Sequence, residues 1–376
     1  MLVIIALSIA VHSCYIGSKV ALSLYALHLG ASQITIGVLA ALYALVPLAM
    51  GVYSGRLADT IGTRIPMLLG AALVGIAMFV GGLTEKAGGG LNLLFATAIL
   101  TGAGFVFFNV AVQTLTGAYG TPDQRARNFS WLSIGYSVST FIGPMTVGVA
   151  IDHLGHAPAF MILASFTLLP IVLLSFTGRY SRVGTRRNID EARSALDLLR
   201  MPVLRRLIVT SGLVVAAWDM FSFYLPVYAH SIGLSATSIG LVLGVFSFAA
   251  FITRFAMPAL LKRWPAERVM LVCMLTACAA FVIFPIWRQL YVIMAIAFFM
   301  GLSLGCGQPL SMMLAFERSP TGRTGEVTGL RLTANNIARV VIPVACGALG
   351  STFGAAPVFW LNALNLAVIS ALISRQ

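Results

Sequence analysis

Long apolar runs, separated by short polar or Gly/Pro-rich breaks, occupy almost the whole chain. A helix needs about 20 apolar residues to cross the hydrocarbon core of a membrane, and twelve runs reach that length. Helices are required because an unpaired backbone group is too costly in lipid. The pattern therefore predicts an all-α membrane protein with twelve transmembrane helices. The runs cover approximately residues 2–29, 33–58, 65–84, 91–117, 128–151, 157–178, 205–229, 236–261, 268–287, 289–315, 325–350 and 355–374.

The composition supports this prediction. Hydrophobic residues make up 59% of the 376 positions and charged residues only 9%, and the mean hydropathy is +0.95. An ordinary soluble domain carries about 25% charged residues, so this chain cannot cover a surface that faces water. A soluble enzyme, a nucleic-acid-binding protein and a disordered protein are thereby excluded. The five cysteines lie in apolar runs without metal-ligand spacing, which is typical of free thiols.

The basic residues predict the topology. The formal net charge is +13, and 18 of the 24 Lys and Arg residues fall at the termini or in the even-numbered loops. The opposite loops hold only Lys86 and Arg288. Because Lys and Arg collect on the cytoplasmic side, both termini are predicted to be cytoplasmic, in the inner membrane of a bacterium. This bias accounts for the positive net charge. The expected partner of the basic residues is membrane lipid, not nucleic acid.

Two halves of the chain resemble each other. At an offset of 199, Pro144 and Gly155 coincide with Pro343 and Gly354, and at an offset of 203, Gly30 coincides with Gly233. A parallel duplication of this kind places a central site between two related bundles. The predicted domains are an N-terminal six-helix bundle (1–178), a polar cytoplasmic linker (179–204) and a C-terminal six-helix bundle (205–376).

The end of the second run carries a charged motif. It reads Gly55-Arg56-Leu57-Ala58-Asp59-Thr60-Ile61-Gly62-Thr63-Arg64. This segment resembles the loop 2–3 signature of the major facilitator superfamily, Gly-x-Leu-Ala-Asp-Arg-x-Gly-Arg-Arg, and the resemblance extends over essentially the whole chain. The resemblance implies two pseudo-symmetric six-helix bundles, and a latch on the cytoplasmic gate made by Gly55, Asp59 and Arg64.

The fifth run is rich in glycine. Gly135, Ser139, Gly143, Pro144 and Gly148 resemble the Gly-Pro motif of drug and metabolite antiporters in that superfamily, with Ser139 in place of one glycine. The alternative interpretation is a face of small residues that packs against a neighbouring helix. The fourth run lacks the intramembrane Arg of the proton-antiporter pattern.

Polar side chains inside the runs are the candidate site residues, because charges in a membrane are costly and face a cavity or a partner. Arg331, Asn335 and Arg339 recur at every fourth position and so share one helical face. In the superfamily, runs 1, 4, 7 and 10 line the central cavity, with run 11 beside them. The expected substrate-binding residues are Lys19, Arg339, Asn335, Asn109, Gln308, Trp218 and Tyr15. The expected proton-coupling residues are Asp219 and His12, and the expected gating residues, besides the motif, are Arg254, Arg331 and Glu326.

Several cations around one acid, Asp219, predict an anionic or zwitterionic substrate. The alternative is internal neutralisation, with Asp219 paired to Lys19 and Arg331 to Glu326. The sequence thus predicts a monomeric secondary active transporter that works by alternating access and exports a small organic compound in exchange for protons. It contains no nucleotide-binding loop and needs no cofactor or metal. The alternatives are a proton-coupled or facilitated importer of a carboxylate metabolite and, more remotely, a membrane-embedded enzyme or sensor.

Overall fold

The computed structural model describes residues 1–84, 90–118, 124–176, 195–320 and 324–374. Twelve α-helices in these ranges are long and apolar enough to cross a membrane, which confirms the predicted fold class. They are α1 (Leu2–His28), α2 (Gln33–Ile61), α3 (Arg64–Leu83), α4 (Gly90–Ala118), α5 (Gln124–Leu154), α6 (His156–Phe176), α7 (Pro202–Ser231), α8 (Ala236–Arg263), α9 (Ala266–Ile283), α10 (Leu290–Glu317), α11 (Thr324–Phe353) and α12 (Ala356–Ser374).

The region before α7 differs from the predicted boundary. A short 3₁₀ helix spans Ala195–Arg200, and α7 begins at Pro202 rather than at Arg205. Proline suits the first position of a helix because the N–H that it lacks would have no partner there. Most of the predicted linker, up to residue 194, lies outside the described residues.

The contacts divide the chain into two compact units. The first comprises Met1–Asn188 and Gly233–Gly244, and the second comprises Ile189–Ile232 and Val245–Gln376. In the first unit, α1 packs against α5 and α6, and α4 packs between α2 and α3. In the second unit, α7 packs against α10, α11 and α12, and α9 packs against α10 and α12. The start of α8 therefore belongs with the N-terminal helices.

Equivalent turns have the same backbone conformation in both halves. Gly30 and Gly233 have φ angles of 75° and 84°, and Gly155 and Gly354 have φ angles of 91° and 87°. These values lie in the left-handed region, which glycine enters without a steric penalty. The glycines that the repeat aligns thus make the same turns, between α1 and α2, α7 and α8, α5 and α6, and α11 and α12.

The Gly-rich face of α5 is a packing face. A side chain at Gly143 would meet the carbonyl oxygen of Ser13 on α1 and would lie 2.8 Å from the backbone nitrogen of Gly17. One turn earlier, the Ser139 hydroxyl donates a 3.2 Å hydrogen bond to the Ile9 carbonyl oxygen. The absence of bulky side chains lets α1 and α5 approach closely, as small residues do in membrane helices.

The second unit pairs α7 and α11 in one register. Arg331 bonds to Ser211, and eight residues further along both helices Arg339 bonds to Asp219. Because both partners advance together, the two helices run parallel over two turns. This register decides which polar side chains meet.

Candidate functional site

An ion pair between α7 and α11 lies at the centre of the candidate site. The Nε of Arg339 donates to Oδ2 of Asp219 at 2.6 Å. The Asp219 side chain is 9% exposed and the Arg339 side chain is 38% exposed. A charge-assisted hydrogen bond of this length is among the strong ones in proteins. The acid is thus held inside the unit, whereas more than a third of the Arg339 side chain is exposed.

A hydrogen-bonded network lies two turns away on the same helices. Ser211 donates to Oδ1 of Asn335 at 3.0 Å and accepts from Nη1 of Arg331 at 3.1 Å. The Ser311 hydroxyl of α10 lies 3.4 Å from the Ser211 hydroxyl. Arg331 and Asn335 are both buried. The shared face that the sequence predicted for Arg331, Asn335 and Arg339 therefore points towards α7.

Arg254 of α8 contacts two other helices of the second unit. Its guanidinium lies 5.5 Å from the centre of the Trp218 ring, and its Nε donates to the Gly305 carbonyl oxygen of α10 at 3.3 Å. A guanidinium within about 6 Å of an aromatic ring is attracted by the ring electrons. Trp218 is next to Asp219 in the chain, so Arg254 and the ion pair have neighbouring partners on α7.

The candidate residues of the first unit surround an aromatic cluster. Tyr15 of α1 stacks on Phe105 of α4 with ring centroids 3.8 Å apart, and it meets Tyr43 of α2 edge-on at 5.6 Å. The Lys19 ammonium lies 4.9 Å from the centre of the Tyr15 ring, and the Lys19 side chain is buried. The cluster gives Lys19 an apolar wall with a favourable ring face.

His12 and Asn109 meet through Tyr136. The rings of His12 and Tyr136 are 4.6 Å apart, and His12 also contacts Phe105 at 5.6 Å. The Tyr136 hydroxyl donates to Oδ1 of Asn109 at 2.7 Å. The first unit therefore brings together His12 and Asn109, which the sequence selected separately.

Several partners of the candidate residues were missed at the level of sequence. They are Ser211, Ser311, Phe105 and Tyr136. Ser and aromatic residues are common in apolar helices, and nothing in their spacing distinguishes these positions. Gln308 of α10 lies one turn before Ser311, whose hydroxyl donates to the Gln308 carbonyl oxygen at 2.9 Å.

The predicted gating residues have separate surroundings. Arg64 donates to the carbonyl oxygens of Leu174 and Ser175 at 2.8 and 2.7 Å, and so caps the last turn of α6. At Gly55, a side chain would meet Val110 at 3.9 Å, an ordinary contact. The side chains of Asp59 and Glu326 lie outside the described residues.

One further acid caps a helix. The Asp152 carboxylate, near the end of α5, accepts from the backbone N–H groups of Ala236 and Thr237 at 2.9 and 2.6 Å. These are the first two residues of α8, whose N–H groups have no partner within the helix. A carboxylate is favoured at this end of a helix.

Comparison with known families gives a match over most of the chain. The family model described as Major Facilitator Superfamily matches residues 2–343. An MFS-type transporter of Bacillus subtilis strain 168, YfkL, is 26% identical over 330 residues, which cover 84% of this chain and 80% of that protein. The multidrug resistance protein MdtG of Escherichia fergusonii is 22% identical over 315 residues, which cover 82% of this chain and 76% of that protein.

Solved structures share the fold at low sequence identity. The crystal structure of the nucleoside transporter NupG has a TM-score of 0.84 at 12% identity and covers 100% of this chain and 98% of its own. A structure of the peptide transporter POT has a TM-score of 0.80 at 16% identity and covers 100% and 93% of the two chains. At these identities the likeness extends to the fold alone.

Proposed function

The chain belongs to the major facilitator superfamily, and on that premise we propose that it carries a small organic anion or zwitterion. It is a multi-pass membrane protein of a family of secondary transporters, not of enzymes. In the proposal it works as a monomer by alternating access, in a bacterial inner membrane and with both termini in the cytoplasm. The bacterial origin of the relatives and the asymmetric distribution of Lys and Arg support this setting.

The Asp219–Arg339 pair is the observation that carries the proposal. It joins a buried acid to a partly exposed arginine side chain between two membrane-spanning helices, where ionised groups are costly and mark functional sites. Two more guanidinium groups, Arg254 and Arg331, lie in the same unit. A planar guanidinium binds a carboxylate or phosphate through two parallel hydrogen bonds. The chemistry of the second unit thus favours an anionic group on the substrate.

The other candidate residues have roles in the same proposal. Lys19 and Tyr15 of the first unit, with Asn109, contribute a second polar region. In the second unit Trp218, Asn335 and Gln308 complete the set of substrate contacts. Asp219 carries the transported proton, and His12 is a second candidate because an imidazole can accept and release a proton.

Gating is assigned to the cytoplasmic side of both units. Asp59 and Gly55 act as the latch that the loop 2–3 signature implies. Arg64 holds the start of α3 to the end of α6, and so keeps that latch in position. In the second unit the gating residues are Arg254, Arg331 and Glu326.

Two directions of transport have support. The relatives named multidrug resistance proteins favour export in exchange for protons. The second candidate is uptake of a carboxylate metabolite, and the Asp219–Arg339 pair favours it because the guanidinium offers a carboxylate site beside a proton acceptor. Everted membrane vesicles with an imposed pH gradient separate the two, since substrate enters them in exchange for protons only under the first candidate.

The substrate class is tested by a thermal-shift screen of the purified protein. The panel contains organic acids, zwitterionic metabolites, sugars and quaternary ammonium compounds. A compound at 100 times its Kd stabilises the folded state by about 2.7 kcal/mol. We expect acids or zwitterions to raise the Tm of the wild type but not of Arg339→Gln. Stabilisation by sugars or quaternary ammonium compounds alone would contradict the proposal.

A further inference from the structure

Two of the five cysteines meet where α9 packs against α10. The thiols of Cys273 on α9 and Cys306 on α10 interact as hydrogen-bonding partners. The residues that follow them in the chain approach each other as well, because a side chain at Gly307 would lie 3.4 Å from the methyl group of Met274. The packing of the two helices therefore holds the two sulfur atoms together.

The two thiols differ in their surroundings. The Cys306 side chain is fully buried, and its thiol donates to the Ser303 carbonyl oxygen at 3.0 Å. Cys273 is only partly buried, so a reagent reaches the pair through Cys273. Further along α9, the Cys278 thiol donates instead to the Ala363 carbonyl oxygen of α12 at 3.2 Å. Cys278 therefore serves as a control for a single thiol on the same helix.

Paired thiols have a chemistry that a single thiol lacks. Thiolate is a soft ligand that selects soft metals and metalloids. Once one sulfur has bonded to such an atom, the second bond forms within the same molecule and at a high effective concentration. Zinc–thiolate bonds of about 2.3 Å indicate the scale, since two sulfurs that share one atom then lie no more than about 4.6 Å apart. Thiols that already hydrogen-bond to each other need little movement to reach this geometry.

We propose that Cys273 and Cys306 form a binding site for a trivalent organic arsenical. The reagent in water is an aryl arsenic compound with two hydroxyl groups. Each thiol forms one As–S bond, and each As–O bond breaks as its oxygen leaves in a water molecule with the proton of that thiol. Arsenic stays trivalent throughout, so the reaction needs no oxidant or reductant. An apolar aryl group also suits a site among membrane-spanning helices.

The proposed site is next to the contact between Arg254 and α10. Gly305 precedes Cys306, and its carbonyl oxygen accepts from Nε of Arg254 at 3.3 Å. Within α10 this carbonyl oxygen would accept from the N–H of residue 309, but Pro309 has no N–H. Arg254 thus supplies the donor that the proline lacks. A bridge from Cys306 to Cys273 would join this turn of α10 covalently to α9.

The test adds phenylarsine oxide to the purified full-length protein, which has been reduced and freed of reductant. We expect intact-mass spectrometry to find one phenylarsenic group per chain. The group should remain in excess 2-mercaptoethanol, a monothiol, and should be removed by 2,3-dimercaptopropanol, a dithiol. Peptide mapping of the wild-type adduct should find the fragment that contains Cys273 joined through arsenic to the fragment that contains Cys306. This result needs no variant.

Variants then assign the two bonds. Cys273→Ser and Cys306→Ser should each lose the adduct that resists 2-mercaptoethanol, because one As–S bond alone exchanges with the monothiol. Cys278→Ser is the matched control and should keep the adduct at the wild-type stoichiometry.

Three results would overturn the proposal. The first is a wild-type protein without any adduct that resists the monothiol. The second is an arsenic bridge that joins a different pair of cysteines. The third is an adduct that persists in Cys273→Ser or in Cys306→Ser.

Discussion

Arg339 and Asp219 are joined by a hydrogen bond of 2.6 Å, and the exposed fraction of the Arg339 side chain is about four times that of the Asp219 side chain. Arg331 meets Ser211 in the same register of α7 and α11. The two contacts together fix where α11 meets α7. The ion pair also places Asp219, the acid that the sequence locates well inside a span, beside a cation whose side chain is partly exposed.

Arg339 should matter for anion binding far more than Arg254 does. Removal of a charged hydrogen-bond donor costs about 1.5–3 kcal/mol, so Arg339→Ala should weaken binding of an organic acid about 10- to 100-fold. Arg254 is engaged by Trp218 and by the Gly305 carbonyl oxygen, and Arg254→Ala should therefore change the Kd little. Calorimetry on both variants measures the difference, and equal small effects would remove Arg339 from the site.

Loss of one member of the pair should destabilise the protein more than loss of both charges. Arg339→Gln leaves the buried Asp219 carboxylate without its 2.6 Å donor, at a cost of about 1–3 kcal/mol. The double variant Asp219→Asn/Arg339→Gln contains no uncompensated charge and should recover part of the lost Tm. A double variant less stable than Arg339→Gln would show that the pair does not act as a unit.

Gly143 should tolerate no side chain. In Gly143→Ala the new methyl group would meet the Ser13 carbonyl oxygen and separate α1 from α5, at a cost of about 1–3 kcal/mol. Gly51→Ala is the matched control, because no atom of the described residues lies within 4 Å of its added methyl group. Thermal unfolding in detergent should show a lower Tm for Gly143→Ala only. A Tm that falls equally in both variants would argue against close packing at Gly143.

Asp152 should hold the first turn of α8. Without its carboxylate, the Ala236 and Thr237 amides lose their acceptor, so Asp152→Ala should speed hydrogen exchange in residues 233–244. Ser351→Ala changes the position that the repeat aligns with Asp152, where the hydroxyl bonds within its own helix. That control should leave exchange in this segment unchanged. Equal exchange in Asp152→Ala and wild type would mean that the cap contributes nothing.

The lengths of the apolar runs and the positions of the glycines were sufficient to predict the helices and the turns between them. Runs of about 20 apolar residues require helices in lipid, and Gly30 and Gly233 marked equivalent turns because few other residues adopt their φ angles. The common face of Arg331, Asn335 and Arg339 also followed from their spacing, and the structure directs it towards α7.

The partners of the candidate residues could not be predicted in the same way. From sequence, Lys19 was the partner considered for Asp219, whereas the register of α7 against α11 brings Arg339 to within 2.6 Å. Ser211 gave no sequence signal, since serine is common in membrane helices. Partner choice depends on helix packing in three dimensions, whereas hydrophobic periodicity reports only which face is buried.

Proton flux in proteoliposomes tests the central claim most directly, namely that the Asp219–Arg339 pair is the transport site for an anion and a proton. Inward gradients of monocarboxylates, amino acids and quaternary ammonium compounds are applied in turn, and a trapped pH dye records the lumen. We predict that a carboxylate or zwitterion changes the lumenal pH faster with the wild-type protein than with Arg339→Gln, whose vesicles measure passive permeation. Cotransport with protons acidifies the lumen, and exchange for protons makes it more alkaline. Equal rates in the two preparations for every compound, or a response to quaternary ammonium compounds alone, would contradict the account.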